Sequence, residues 1–210
     1  MTEKGRLFVL EGGEGSGKST QAALLARHLC AEITREPGGT PLGEHIRTAL
    51  LNRDLGMLDA RAELFMMIAA RAQHVTERIR PALFSGRDVV CDRFSGSTLA
   101  YQGFGRGIAL EEVQYLCALA AGGIEPDLTI LLDVPQDVAT QRRHVAPDRI
   151  EAEDSDFHAR VIAGYREIAL SNPNDWVIVD ASGTPEDIAV HIAHLIDERF
   201  GPSPTHLRRT

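Results

Sequence analysis

"LEGGEGSGKST", residues 10–20, places four glycines within six positions and follows them at once with a lysine and two hydroxyls. Glycine loses the most freedom when it is ordered, so the stretch calls for a backbone shape that a Cβ would forbid. Gly12, Gly17, Lys18 and Ser19 fit the spacing G-x-x-x-x-G-K-[ST], with an apolar run ending at Glu11 and a helical pattern beginning at Ser19. In that context the backbone of Gly12, Gly13, Glu14, Gly15, Ser16, Gly17, Lys18, Ser19 and Thr20 is expected to curl around phosphate oxygens. The helix N-terminus behind it adds positive potential. Lys18 then reaches the β- and γ-phosphates of ATP, and the Ser19 hydroxyl joins the shell of a magnesium ion.

Outward from this loop, short and nearly continuous apolar runs alternate with helical patterns. Residues 6–11, 31–36, 88–92, 128–134 and 176–181 read as strands covered on both faces. Helical stretches lie near 17–30, 42–52, 58–84, 108–121, 135–145, 153–170 and 185–199, with Pro81 expected to kink or break the longest. Thr184 and Pro185 supply a helix start. This alternation predicts an α/β fold, a parallel sheet with helices on both sides. The 210 residues are 43% hydrophobic and 25% charged, enough for one good core. The tail after Gly201 is polar and proline-broken and is expected to fray.

No apolar run approaches a membrane span, and the N-terminus does not read as a secretory signal. Cys30, Cys91 and Cys117 sit among apolar neighbours with no CxxC pair, which predicts buried thiols in a reducing cytoplasm. The formal net charge of −8 argues against non-specific nucleic-acid binding but not against a small anion held by local arginines.

The loop alone serves GTPases, ATPases and kinases. No Asn-Lys-x-Asp guanine reader is present, and the chain is short for a mechanical ATPase, which leaves a small-molecule kinase with a second, arginine-rich anion site. Four segments carry basic residues to the C-terminal edge of the expected sheet, where ligands bind. They bring Arg35 and Arg47, then Arg71, then Asp92 and Arg93 followed by Thr98, Tyr101, Gln102 and Arg106, and last Arg142, Arg143 and Arg149. Asp92 can hold Mg²⁺ through water while Arg93 forks onto a phosphate. Asp133 ends a strand in the same way, but Val134 and Pro135 after it simply start a helix, so Asp92 is preferred.

Together, "EGGEGSGKST", "TREPGGTPLGEHIR", "AARAQHV", "DRF" with "STLAYQGFGRG", "PDLTILLDV" and "DRIE" resemble the thymidylate kinase family, from Leu7 to about Phe200. The resemblance implies a P-loop nucleoside-monophosphate-kinase-like fold with a five-stranded parallel sheet in the order 2-3-1-4-5. It further implies one domain over 1–201, a lid at about 142–154 and a flexible tail over 202–210. The activity it implies is ATP- and Mg-dependent phosphorylation of dTMP to dTDP by a cytoplasmic homodimer. By position, Arg71 should bond the thymine edge, Gln102 and Thr98 line the base pocket, and Tyr101 crowd the sugar 2′ position. Arg93, with Arg35 and Arg47, should hold the acceptor phosphate, while Glu11 and Asp92 organise the metal and its waters. Members of that family carry an arginine either in the phosphate loop or in the lid; the loop here has none, so the resemblance implies Arg143 and Arg149 as catalytic lid residues.

Where the family has a phenylalanine stacked on thymine, this chain has Met67, with Phe65 turned elsewhere on the helix. Met67 is a pocket residue or part of core or dimer packing. No His–carboxylate pair stands near the motifs, and none of the eight histidines is assigned a role. An acceptor that is already an anion needs alignment and charge neutralisation rather than a strong base. The rival readings are a kinase for another monophosphate such as dUMP, and a nucleotide-binding module without catalysis.

Overall fold

The computed structural model describes residues 4–142 and 146–202. Five strands, β1 (Leu7–Glu11), β2 (Glu32–Arg35), β3 (Val89–Asp92), β4 (Leu128–Asp133) and β5 (Trp176–Asp180), form one sheet. Their order is β2-β3-β1-β4-β5, with every pair parallel. Side chains alternate across this sheet, so each continuous apolar run feeds two cores. Phe8 and Leu10 of β1 pack with Leu25, Ile130, Leu132, Ile188 and Ile192 on one face. Leu7 and Val9 pack with Ile79, Leu83, Cys91 and Ile124 on the other.

The helices that cover these faces are α1 (Lys18–Leu29), α2 (Pro41–Leu51), α3 (Ala60–His74), α4 (Arg80–Phe84), α5 (Ser95–Thr98), α6 (Leu110–Ala121), α7 (Gln136–Gln141), α8 (Ser155–Ser171) and α9 (Pro185–Phe200). Thr184 caps α9, its hydroxyl accepting from the Asp187 N–H, and Pro185 opens the helix as expected. The helical run over 58–84 does not end at Pro81. A π-helical turn, Val75–Ile79, joins α3 to α4 and widens the helix just before the proline, which lacks a donor. Residues 95–105 carry structure that periodicity did not reveal, the short α5 and a second π turn over Leu99–Gly105. Among the cysteines, Cys91 and Cys117 are buried, whereas Cys30 caps the end of α1 in a left-handed conformation and is exposed. No helix among the described residues is long and apolar enough to cross a membrane.

The register decides where the site lies. Leu10 and Arg35 both stand opposite Asp92, so the loops leaving β1, β2 and β3 emerge side by side at one edge. β1 sits where the connection order reverses, with β3 on one flank and β4 on the other, and that switch point leaves a crevice at the strand ends.

Candidate active site

A cavity of about 350 Å³ opens at this edge. The phosphate loop forms one wall. Gly12, Gly15 and Gly17 take positive φ values of 145°, 76° and 88°, and a Cβ on Gly15 would fall 2.3 Å from the Ala139 carbonyl oxygen. The Lys18 ammonium folds back over the loop, donating to the Gly13 carbonyl at 2.7 Å and to Ser16 Oγ at 3.3 Å. Burial, with the nearby Arg93 charge, pulls the Lys18 pKa down to about 8. A cation held out of water in this way gains most from an incoming polyanion.

Ser19 donates its hydroxyl proton to Asp92 Oδ2 at 2.6 Å, which joins the loop to the end of β3. The other oxygen, Asp92 Oδ1, is buried without a hydrogen-bond partner. A hydroxyl and a carboxylate with a spare buried lone pair fit Mg²⁺, which binds through one or two protein oxygens together with phosphate and water. Among the described residues no group of three or more His, Cys, Asp or Glu could cage a metal, so the phosphates would complete the shell. Asp133, the alternative, is taken up by a two-pronged pair with Arg166 at 3.0 Å.

Across the cavity three guanidinium groups converge. Arg93 follows β3 with φ 72°, a left-handed conformation that non-glycine residues rarely adopt and that costs on the order of 1–3 kcal/mol. Glu11 holds it there from beneath. Fully buried, Glu11 accepts from the Phe94 and Ser97 N–H groups at 2.9 Å and from Tyr165 Oη at 3.2 Å, and burial raises its pKa. Arg93 itself bonds the Gly12 carbonyl and Tyr165 Oη and pairs with Glu14 of the loop. Burial would raise the Glu14 pKa, but Arg93 and Lys18 outweigh it and hold that carboxyl at about 2. Arg47 donates to the Pro37 carbonyl at 3.1 Å, and its pKa is lowered by burial and then by the charges of Arg35 and Arg93. Like charges crowded together in a cleft mark a place for an anion.

The far end is a base-sized recess. Arg71 reaches it from α3, Thr98 and Tyr101 from α5 and the π turn beyond it, and Met67 lies one helical turn before Arg71. Met67 also packs against the buried cluster of Tyr101, Ile150 and Phe157, so it serves both pocket and core. Of the expected residues, Glu14, Gly15, Gly17, Lys18, Ser19, Thr20, Arg35, Arg47, Met67, Arg71, Asp92, Arg93, Thr98 and Tyr101 line one cavity.

Gly12, Gly13 and Ser16 of the loop do not, and neither do Glu11, Gln102 and Arg149. Glu11 is closed off by the donors named above. Gln102 is fully buried, and its amide donates to Glu63 Oε1 at 2.9 Å. Arg149 turns away from the cavity as well, donating to Glu63 Oε2 at 2.6 Å and to the Leu50 carbonyl at 2.8 Å. Glu63, with no exposed surface, also receives Arg106, and so collects two guanidinium groups and an amide. Arg143 lies outside the described residues. Arg142, just before it, is tied to the Ala181 and Gly183 carbonyls. The cavity gains Glu36, Asp148, Ile150 and Glu151, which sequence reasoning missed. Asp148 and Ile150 face inward while Arg149 between them faces out.

A phosphate-wrapping loop beside an arginine-lined pocket, on a parallel sheet in this strand order, defines a phosphate-loop kinase of small phosphorylated substrates. A thymidylate kinase family model matches residues 10–192. A thymidylate kinase of Desulfovibrio desulfuricans is 47% identical over 206 residues, covering 91% of this chain and 95% of its own. One from Thermomicrobium roseum is 49% identical over 190 residues, covering 87% and 90%. The crystal structure of thymidylate kinase from Ehrlichia chaffeensis superposes with a TM-score of 0.76 at 32% identity, over 92% of this chain and 99% of that one. The chain belongs to the thymidylate kinase family.

Proposed function

We propose that the cavity binds ATP and dTMP end to end and passes the γ-phosphoryl group from the first to the phosphate of the second. The chain is a dTMP kinase that makes dTDP, and the observation that carries the reading is one cavity lined at one end by the Lys18 loop and at the other by Arg71, Thr98 and Tyr101. Lys18 leaves the Gly13 carbonyl for the β- and γ-phosphate oxygens. Arg93, with Arg35 and Arg47, exchanges Glu14 for the acceptor phosphate, which replaces one carboxylate by a more highly charged anion. Ser19 and Asp92 would hold Mg²⁺, which when bound neutralises charge on the phosphate oxygens. Tyr101 stands beside Arg93 and Glu14, where it would crowd a 2′-hydroxyl. No strong base is needed, because the attacking oxygen already belongs to an anion.

The reading takes residues 1–201 as a single domain with a lid at about 142–154, for which the bonds of Arg142 and Arg149 would serve as anchors. We further propose a cytoplasmic homodimer. Its support is the pair α3 and α6, packed on each other and exposing Phe65, Tyr115 and Leu119 to solvent. The deciding assay couples ADP release to a panel of dTMP, dUMP, dCMP, dGMP, AMP and UMP with ATP as donor. The reading expects dTMP to give the highest kcat/KM, and preference for any other acceptor would overturn it.

A further inference from the structure

Behind Arg71 runs a line of buried polar groups that the transfer itself does not use. All three Arg71 nitrogens are already bonded: Nε donates to Glu36 Oε2 at 2.8 Å, Nη2 to Thr98 Oγ1 at 2.9 Å and Nη1 to Cys117 Sγ at 3.1 Å. The guanidinium lies over the Phe94 ring with its carbon 4.9 Å from the centroid. The second oxygen of Glu36 meets His74 Nδ1 at 2.9 Å, and His74 Nε2 lies 2.6 Å from Thr34 Oγ1. Arg71 and Glu36 are 2% and 5% exposed, and His74 has no exposed surface.

The directions of these bonds follow from the donors available. A carboxylate that takes a proton contact from Arg71 accepts from the imidazole too, so Nδ1 carries the hydrogen. In the neutral ring Nε2 then accepts from the Thr34 hydroxyl. Glu36 is thereby gripped at both oxygens, one by the residue that faces the base and one by a residue that does not. Arg71 and His74 are three apart on α3, which puts them on one side of the helix. The loop after β2 closes over the imidazole so tightly that a Cβ on Gly39 would lie 2.6 Å from the ring and 2.8 Å from Thr34 Oγ1. The histidine thus touches β2, the loop carrying Glu36, and α3 at once.

We propose that His74 is a positioning residue for base recognition: through Glu36 it sets the orientation of the Arg71 guanidinium, and with it the preference for a pyrimidine bearing a carbonyl acceptor at the edge Arg71 reads. The proposal rests on the dTMP kinase reading of the site. Truncating His74 leaves Glu36 free to rotate away from Arg71, and the loss falls on the base end while the ATP end is untouched.

The test is a steady-state comparison of His74→Ala, His74→Asn, Arg71→Ala and the double variant, with thermal melting in parallel. His74→Ala is expected to raise the KM for dTMP about tenfold, as loss of an orienting partner does elsewhere. The KM for ATP and kcat stay within about twofold, and the inhibition constant of dCMP moves toward the dTMP value. Asparagine keeps a donor near the Nδ1 position and recovers most of the loss. In the Arg71→Ala background the histidine change adds nothing, because its effect passes through Arg71. An unmoved dTMP KM, equal rises in both KM values, or additivity in the double variant would overturn the proposal. Should His74→Ala fail to fold, Thr34→Val removes the outer bond without adding bulk and is read by the same split between the two KM values. A wild-type protein inactive on dTMP overturns the reading of the site, whereas an active wild type with unmoved variants overturns only the role of His74.

Discussion

Arg93 and Arg149 both come from short motifs that begin with an aspartate, and both are largely enclosed, yet they belong to different regions of the molecule. Arg93 sits among cations. Arg35 and Arg47 stand close by, Glu14 is its one ion-pair partner among the described residues, and its backbone is held in a strained turn. Arg149 sits in a balanced cluster, where Glu63 and Glu153 meet the charges of Arg149 and Arg106. The first region sets its cations on the wall of an open cavity, beside carboxylates that an anion can replace, whereas the second closes its charges on one another. Cations that line an open cleft are available to an anion, while ion pairs closed on one another form an anchor.

The contrast can be broken at either end. The largest effect is expected from Lys18→Ala, which removes the ammonium from the phosphate wall. Turnover should fall by about a thousandfold, in the range for loss of a group that stabilises transition-state charge. The melting temperature should hold or rise, because a buried cation has been removed. Near-normal turnover would remove the loop from the chemistry.

Glu63→Ala tests the other region. The buried Arg149 loses its carboxylate, while the half-buried Arg106 keeps only Glu153, for which the expected cost is about 3–5 kcal/mol of stability. Chemical denaturation reads that cost directly, and a change within about 0.5 kcal/mol would mean that the cluster is solvated and anchors nothing.

A subtler effect comes from pH. The Lys18 pKa of about 8 means that the free protein carries this charge below that pH and loses it above. The kcat/KM for ATP should therefore decline as pH rises through about 8, with proton uptake on ATP binding measurable in buffers of different ionisation enthalpy. A profile flat to about pH 10 would contradict the burial of that ammonium. The smallest change is expected at Met67, where phenylalanine offers a flat ring to the base. Met67→Phe should lower the dTMP KM about fivefold, the scale of an aromatic pair. No change would place the side chain in the core alone.

The cation-lined cleft was largely legible in the sequence. Strand ends are read from apolar runs, and in a parallel sheet the loops that leave the strands' C-terminal ends share one edge, so Lys18, Arg35, Asp92 and Arg93 fell together by topology. Arg149 and Gln102 were not legible, because a motif names residues without giving their direction. In 148–150 successive side chains point to opposite sides, and in the π turn over Leu99–Gly105 the spacing departs from 3.6, so Gln102 falls behind Tyr101 rather than beside it. Glu63 and His74 were missed for another reason. Their partners lie 86 and 38 residues away in the chain, where no local pattern connects them. The exposure of Cys30 reflects its place at a left-handed helix end, which apolar neighbours in sequence do not signal.

The claim on which the mechanism depends is that two anionic ligands occupy one cleft simultaneously, each held by its own set of cations. Isothermal titration with adenosine and thymidine joined 5′ to 5′ through a chain of phosphates tests it directly. Such a compound should bind at least about a hundredfold more tightly than the better of ATP and dTMP, since the second contact becomes intramolecular. That gain should vanish in both Lys18→Ala and Arg93→Ala. Binding no tighter than the better single nucleotide would contradict a shared cleft.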